Sequence, residues 1–121
     1  MKLKYLFYFN SIVVLNALIA LVAPALVLER MGIPADNPDI LQFANNAGGL
    51  LLFVGLVSWF AARTEDSPFR RKIRLSFFLM NLVMTVFHYL AYLNGGQIVY
   101  VYGHGFLTLA YGYFQFIKPD A

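Results

Sequence analysis

The stretch that decides the fold runs from Ile40 to Ala62, ILQFANNAGGLLLFVGLVSWFAA, and contains no Asp, Glu, Lys or Arg. A helix of about 20 apolar residues spans the roughly 30 Å hydrocarbon core of a bilayer. Lipid offers no hydrogen-bonding partner to backbone N–H and C=O groups, so such a segment crosses a membrane as a helix. The stretch therefore predicts a transmembrane helix.

Three further apolar stretches accompany it. They cover residues 5–28, 73–93 and 97–117, and Arg74 is the one charged residue within them. Hydrophobic residues make up 60% of the chain and charged residues 12%, against about 45–50% and about 25% in a soluble domain. Because the connections are short, we predict that residues 1–121 form one all-α membrane domain, an antiparallel up-down bundle of four transmembrane helices with spans at 5–28, 40–62, 73–93 and 97–117.

The basic residues predict the orientation of this bundle. Eight of the nine Lys and Arg lie before the first span, near the loop between the second and third, or after the fourth, and only Arg30 lies on the other side. Loops rich in Lys and Arg favour the cytoplasm. We therefore expect both termini to be cytoplasmic. The same placement accounts for the net charge of +3 without nucleic acid as a partner.

The composition also excludes several chemistries. The chain has no cysteine, which removes disulfides, thiolate metal sites and a cysteine nucleophile. No pair of carboxylates lies within the predicted spans, and the Gly-Gly pairs lack the lysine of a phosphate-binding loop. We therefore expect no catalytic residues, no metal site and no enzymatic activity.

Polar residues inside transmembrane spans are the strongest indication of function in such a chain. The third and fourth spans each carry polar residues spaced i, i+4, i+7 and i+11, which places them on one face of a helix. The tight turn at residues 94–96 makes these two helices neighbours, so the histidines on the two faces could approach each other in the outer leaflet. The predicted polar layer comprises Asn81, Thr85, His88 and Tyr92 in the third span, His104, Thr108, Tyr111 and Gln115 in the fourth, and Asn45 and Asn46 in the second.

Three interpretations of this layer compete. Hydrogen bonding between helices, at about 0.6 kcal/mol per contact, is the one we favour. A cofactor site would use His88 and His104 as ligands of a haem iron or of a chlorophyll magnesium, although neighbouring helices only about 8–10 Å apart leave little room for a ring. A pocket for a small molecule or a proton relay, as in a small transporter, would use the same histidines as titratable groups.

The layout resembles that of small four-span bacterial inner-membrane proteins grouped as a family of unknown function. Four segments carry the resemblance: Asn45-Asn46-Ala47-Gly48-Gly49, Trp59-Phe60-Ala61-Ala62-Arg63, Arg70-Arg71 and Gly112-Tyr113-Phe114. The resemblance covers the whole chain and implies a location in the bacterial inner membrane. It implies no particular activity.

The small residues of the spans favour close helix packing. Gly48 and Gly55 lie in the second span, and Thr108 and Gly112 form a small-xxx-small pair in the fourth. Such faces serve packing within the chain or packing against other subunits. We therefore expect a non-catalytic membrane subunit or accessory protein whose partners are the lipid bilayer and either other membrane subunits or further copies of itself.

Overall fold

The computed structural model describes residues 2–119, which are helical apart from short connections and contain no strand. The all-helical prediction is confirmed. Three continuous helical stretches, Leu3–Val22, Pro38–Arg63 and Pro68–Leu93, are long and apolar enough to cross a membrane. The helices are α1 (Leu3–Ser11), α2 (Val13–Val22), α3 (Pro24–Arg30), α4 (Pro38–Arg63), α5 (Pro68–Leu93) and α6 (Ile98–Gly112), and a π-helical turn, Tyr113–Ile117, follows α6.

The first predicted span, residues 5–28, is divided in the structure. α2 ends at Val22, and Ala23 leaves the helical conformation with φ −138° and ψ 65°. Proline forces this break, because its ring disfavours the helical conformation in the preceding residue and it has no N–H to continue the hydrogen-bond ladder. Pro24 instead occupies the first turn of α3, so the apolar run of residues 5–28 is shared among α1, α2 and α3.

The fourth predicted span, residues 97–117, is also built in two pieces. α6 supplies fifteen residues, and the π-helical turn continues the helix for five more. Single-turn π segments occur inside helices, often at functional sites. The structure therefore keeps this segment helical throughout its apolar length, while a fourth membrane crossing stays a prediction.

Two local sequence signals fix the ends of α5. Its first turn begins with Pro68, and the Ser67 hydroxyl accepts a hydrogen bond from the Arg70 backbone N–H at 3.2 Å. This is the arrangement that a serine cap followed by proline predicts. At the other end the chain turns back through Gly95, whose φ of +93° is a conformation that glycine adopts without strain.

The chain divides into two compact units, the first of which is Phe7–Arg63. α2 and α4 pack closely in it, since a Cβ added to Gly48 would lie 2.9 Å from the Ala20 Cβ and 3.1 Å from the Ala17 carbonyl oxygen. A buried hydrogen bond also joins α1 to α4, since Asn10 Nδ2 donates to Ser58 Oγ at 2.7 Å. In this unit the glycine face of α4 therefore serves packing within the chain.

The described part of the second unit covers residues 2–6 and 64–119. Its main feature is the packing of α5 against α6 and the π-helical turn. The first half of α5 packs against the end of α6. The Phe78 ring lies 3.1 Å from the position of a Cβ on Gly112, and the ring centroids of Phe77 and Tyr111 are 5.5 Å apart. The polar faces predicted on the third and fourth spans meet along this interface.

Candidate functional site

The centre of the polar interface is a hydrogen bond between α5 and α6. Asn81, which is fully buried, places its Oδ1 2.9 Å from the Nδ1 of His104. The Asn81 side chain also bonds to its own helix, since its Nδ2 donates to the Phe77 carbonyl oxygen at 2.8 Å. One buried amide thus links the α5 backbone to the imidazole on α6.

This pair of bonds assigns the protonation of the imidazole nitrogens. Because the amide nitrogen of Asn81 faces a carbonyl oxygen, the amide oxygen must face His104. An oxygen can only accept, so Nδ1 of His104 carries the hydrogen and donates it. In the neutral ring the lone pair then lies on Nε2. Histidine commonly adopts this tautomer when it binds a metal through Nε2.

Three aromatic rings stack beside this hydrogen bond. The ring of His88 on α5 lies parallel to that of His104, with centroids 5.0 Å apart and planes inclined by 11°. The ring of Tyr100 also stacks on that of His88, with centroids 5.3 Å apart and planes inclined by 24°. The structure therefore brings together the two histidines of the predicted layer and adds Tyr100, which lies four residues before His104 on the same face of α6 but was not among the predicted polar residues.

Two threonines extend the interface next to Asn81. The hydroxyls of Thr85 and Thr108 lie 3.3 Å apart. Each also donates within its own helix, Thr85 to the Asn81 carbonyl oxygen at 2.7 Å and Thr108 to that of His104 at 2.8 Å. Such bonds to the preceding turn are common for threonine in helices. They provide each hydroxyl with an acceptor in its own helix.

A buried arginine lies about two helical turns from this centre. Arg74 is 1% exposed, its Nε donates to Gln115 Oε1 at 2.7 Å, and one terminal nitrogen donates to the Pro119 carbonyl oxygen at 2.8 Å. Gln115 is a predicted member of the polar layer, whereas Arg74 was counted only as a topology signal. Its spacing of seven residues before Asn81 places it on the same helix face, and this signal could have identified it.

Other predicted members lie elsewhere. Asn45 belongs to the unit Phe7–Arg63, where its Nδ2 donates to the Leu21 carbonyl oxygen at 3.0 Å. Asn46 is in the same unit and is exposed. Tyr92 is exposed near the end of α5. The histidine layer that the structure describes is therefore built from α5 and α6.

The stacked geometry constrains any cofactor held by the histidines. Two axial ligands of one haem approach its metal from opposite faces of the ring, each through a nitrogen atom. His88 and His104 instead present parallel faces to each other, so no macrocycle fits between them without separating the stack. One haem held by both histidines does not fit this arrangement, whereas ligation by a single Nε2 does not require the space between the rings.

These features define the class of the chain: an all-helical protein with three helices of membrane-crossing length and hydropathy and a polar interface between α5 and α6. No family model matches the chain, and no curated protein or solved structure matches it.

Proposed function

We propose that the chain is a non-catalytic subunit or accessory protein of a bacterial inner-membrane complex, in which four antiparallel helices cross the bilayer. Its apolar surface supports this proposal. In the most apolar windows of the three long helical stretches, only 28%, 17% and 11% is buried within the chain. The remaining surface is available to lipid and to the helices of other molecules.

The observation that carries the proposal is the exposed amide of Asn46. This residue lies in the first half of α4, about a third of the way along a helix of 26 residues, and its side chain is exposed. An amide transferred to hydrocarbon without a hydrogen bond costs several kcal/mol, about 4–8 on the most apolar scale. Polar side chains in membrane helices typically find partners on neighbouring helices. Asn46 therefore indicates a helix outside the unit Phe7–Arg63, and the proposal assigns that helix to another subunit or another copy.

Native electrophoresis tests this association. We expect the tagged chain, solubilised gently from membranes, to migrate as an assembly larger than the 13.7 kDa chain alone, and Asn46→Leu to shift it toward the monomer. Asn46→Gln is the matched control, because it keeps the amide and should keep the assembly. Copies carrying two different tags distinguish self-association from binding to another subunit. Migration of the wild-type chain only as a monomer would contradict the proposal.

The orientation is part of the same proposal. The exposed basic residues Arg71 and Lys72 at the start of α5 and the excess of Lys and Arg on this side support a cytoplasmic location for that loop. The chain contains no cysteine, so single cysteines can be introduced without background.

We expect cysteine at Ser67 to be protected from a membrane-impermeant maleimide in intact cells, and cysteine at Asn94 to be labelled. Both should react after the membrane is permeabilised, which controls for burial. Labelling in the opposite pattern would indicate the reverse orientation. Labelling of both cysteines in intact cells would place both loops on the same side of the membrane and would exclude a single crossing by α5.

A further inference from the structure

An open groove lies between α4 and the helices α1 and α2, within the unit Phe7–Arg63. Its volume of about 310 Å³ is at the lower end of the range of about 300–1,000 Å³ for ligand sites. Four of its five lining residues carry aliphatic or aromatic side chains, so the groove suits a hydrocarbon chain better than a polar molecule. The lining residues are Ser11, Val14, Leu15, Leu56 and Trp59.

The sequence forms this groove by placing a small residue near a large ring beside a close helix contact. α2 and α4 touch at Gly55, where an added Cβ would lie 3.2 Å from the backbone nitrogen of Val14. About one helical turn farther along α4 the chain carries Trp59, and α1 contributes only the small side chain of Ser11 to the groove. The Ser11 hydroxyl donates to the Tyr8 carbonyl oxygen at 2.6 Å. Its hydrogen is therefore used within α1, which leaves the walls of the groove mainly apolar.

A cation lies at the Trp59 end of the groove. The guanidinium carbon of Arg63 is 5.7 Å from the centroid of the Trp59 ring, and Tyr8 packs edge-on against the same ring with centroids 5.4 Å apart. Leu56, Trp59 and Arg63 follow the spacing i, i+3 and i+7, which places them on one face of α4. Arg63 therefore lies about 10 Å along the helix axis from Leu56.

The charge of Arg63 indicates what kind of molecule the groove accepts. Its side chain is exposed, and within residues 2–119, which the structure describes, it forms no ion pair with a carboxylate. A planar guanidinium pairs well with phosphate oxygens, and basic residues next to a membrane helix attract anionic lipid headgroups. Tryptophan is typical of the same level of the bilayer. An apolar groove that ends at a cation matches an acyl chain joined to an anionic headgroup.

We propose that this groove binds one anionic phospholipid, with an acyl chain along Val14, Leu15 and Leu56 and with the phosphate group at Arg63. Trp59 packs against the part of the chain nearest the headgroup. The site lies wholly within the unit Phe7–Arg63. It depends neither on the association inferred from Asn46 nor on which end of α4 is cytoplasmic.

Fluorescence of Trp59 tests the site, because the chain contains one tryptophan and that residue lines the groove. The purified full chain is placed in phosphatidylcholine bilayers, and increasing fractions of the lipid are replaced by phosphatidylglycerol or phosphatidylcholine with brominated acyl chains, which quench tryptophan on contact. We expect brominated phosphatidylglycerol to reach half-maximal quenching at an about fivefold lower mole fraction than brominated phosphatidylcholine, the contribution of one basic residue at a membrane surface.

Substitutions of arginine separate this site from general attraction of anionic lipid. Arg63→Gln should remove the preference for phosphatidylglycerol and leave quenching by brominated phosphatidylcholine in place, whereas Arg63→Lys should keep most of the preference because it keeps the charge. Arg30→Gln is the matched control. Arg30 is an exposed basic residue at the end of α3, outside the groove, so its loss should leave the preference unchanged.

Ser11→Leu tests the groove itself, because leucine would fill space beside Trp59, and we expect it to reduce quenching by both brominated lipids. Circular dichroism confirms that each variant is helical, and the same lipid without bromine corrects for changes in Trp59 emission. Equal half-maximal fractions for the two lipids in the wild type would overturn the proposal, as would a preference that survives Arg63→Gln. Absence of quenching by either lipid would show that another helix covers the groove and would also overturn it. The arginine variants leave the groove unchanged, so they decide the matter even if Ser11→Leu does not fold.

Discussion

Replacing Gly48 by leucine is expected to lower the free energy of unfolding by about 3 kcal/mol, the upper part of the range for overpacking a close interface. Even a single added carbon would lie 2.9 Å from the Ala20 Cβ, 3.1 Å from the Ala17 carbonyl oxygen and 3.2 Å from the Leu21 nitrogen. Two of these atoms belong to the α2 backbone, which cannot rotate away as a side chain can. α2 and α4 must therefore separate to accept the substitution.

The adjacent glycine provides the matched control. Gly49 is exposed, and a Cβ there would meet nothing within 4 Å, so Gly49→Leu should leave the stability unchanged or raise it by up to about 1 kcal/mol through helix propensity. SDS titration in mixed micelles, followed by circular dichroism, measures both changes. Similar losses for the two variants would show that glycine is needed for a reason other than the contact between α2 and α4.

The contrast between these glycines shows which part of the packing could be predicted from the sequence and which could not. The apolar run from Ile40 to Ala62 predicts a long helix because its composition leaves few alternatives, and α4 is found at Pro38–Arg63. The sequence also indicated that Gly48 and Gly55 favour close packing. It could not tell that Gly48 lies against α2 while its neighbour Gly49 is open, because which side of a helix faces a partner depends on the rotation of that helix in the fold.

The break of the first predicted span has a different origin. Hydropathy depends on composition, and the run through Ala23 and Pro24 stays apolar. Backbone geometry depends on hydrogen bonds, and Pro24 interrupts the ladder there. The prediction of one span over residues 5–28 gave more weight to composition than to this proline.

The residues of the polar interface between α5 and α6 were predicted more completely than the contacts that they make. The i, i+4, i+7 spacing placed Asn81, Thr85 and His88 on one face, and all three contact α6 residues in the structure. Spacing gives the face but not the partners. That Asn81 holds the Nδ1 atom of His104 depends on the relative shift of the two helices along their axes, which the sequence does not contain.

The role of Arg74 differs from the one that its place among the basic residues predicts. The positive-inside rule treats every arginine near the loop between α4 and α5 as equivalent, since it concerns only the side on which a charge lies. In the structure Arg71 is exposed and forms an ion pair with Asp66 at 3.1 Å, whereas Arg74 is buried and bonds to Gln115 and Pro119. The same residue type therefore has a surface role at one position and an interior role three residues later.

Replacing Arg74 by leucine is expected to cost about 3 kcal/mol in the free energy of unfolding. A hydrogen bond to a charged group contributes about 1.5–3 kcal/mol, and the acceptors left behind, Gln115 Oε1 and the Pro119 carbonyl oxygen, would lose their donor. Arg74→Lys should recover only part of the loss, because a single ammonium group cannot reproduce the donor directions of the planar guanidinium. Arg74→Lys retains the positive charge, so the contribution of this charge to the membrane topology is the same as in the wild type.

Arg71→Leu is the surface control for this substitution. An exposed ion pair contributes about 0.5 kcal/mol or less, so the stability of that variant should stay close to that of the wild type. Limited proteolysis adds a local measurement, since loss of the bonds to Gln115 and Pro119 should expose the chain after α6 to cleavage in Arg74→Leu but not in Arg71→Leu. Equal stability and equal cleavage of the two variants would mean that burial of Arg74 does not hold the C-terminal segment. In that case the polar interface would depend on the Asn81–His104 bond and on Thr85 and Thr108 rather than on Arg74.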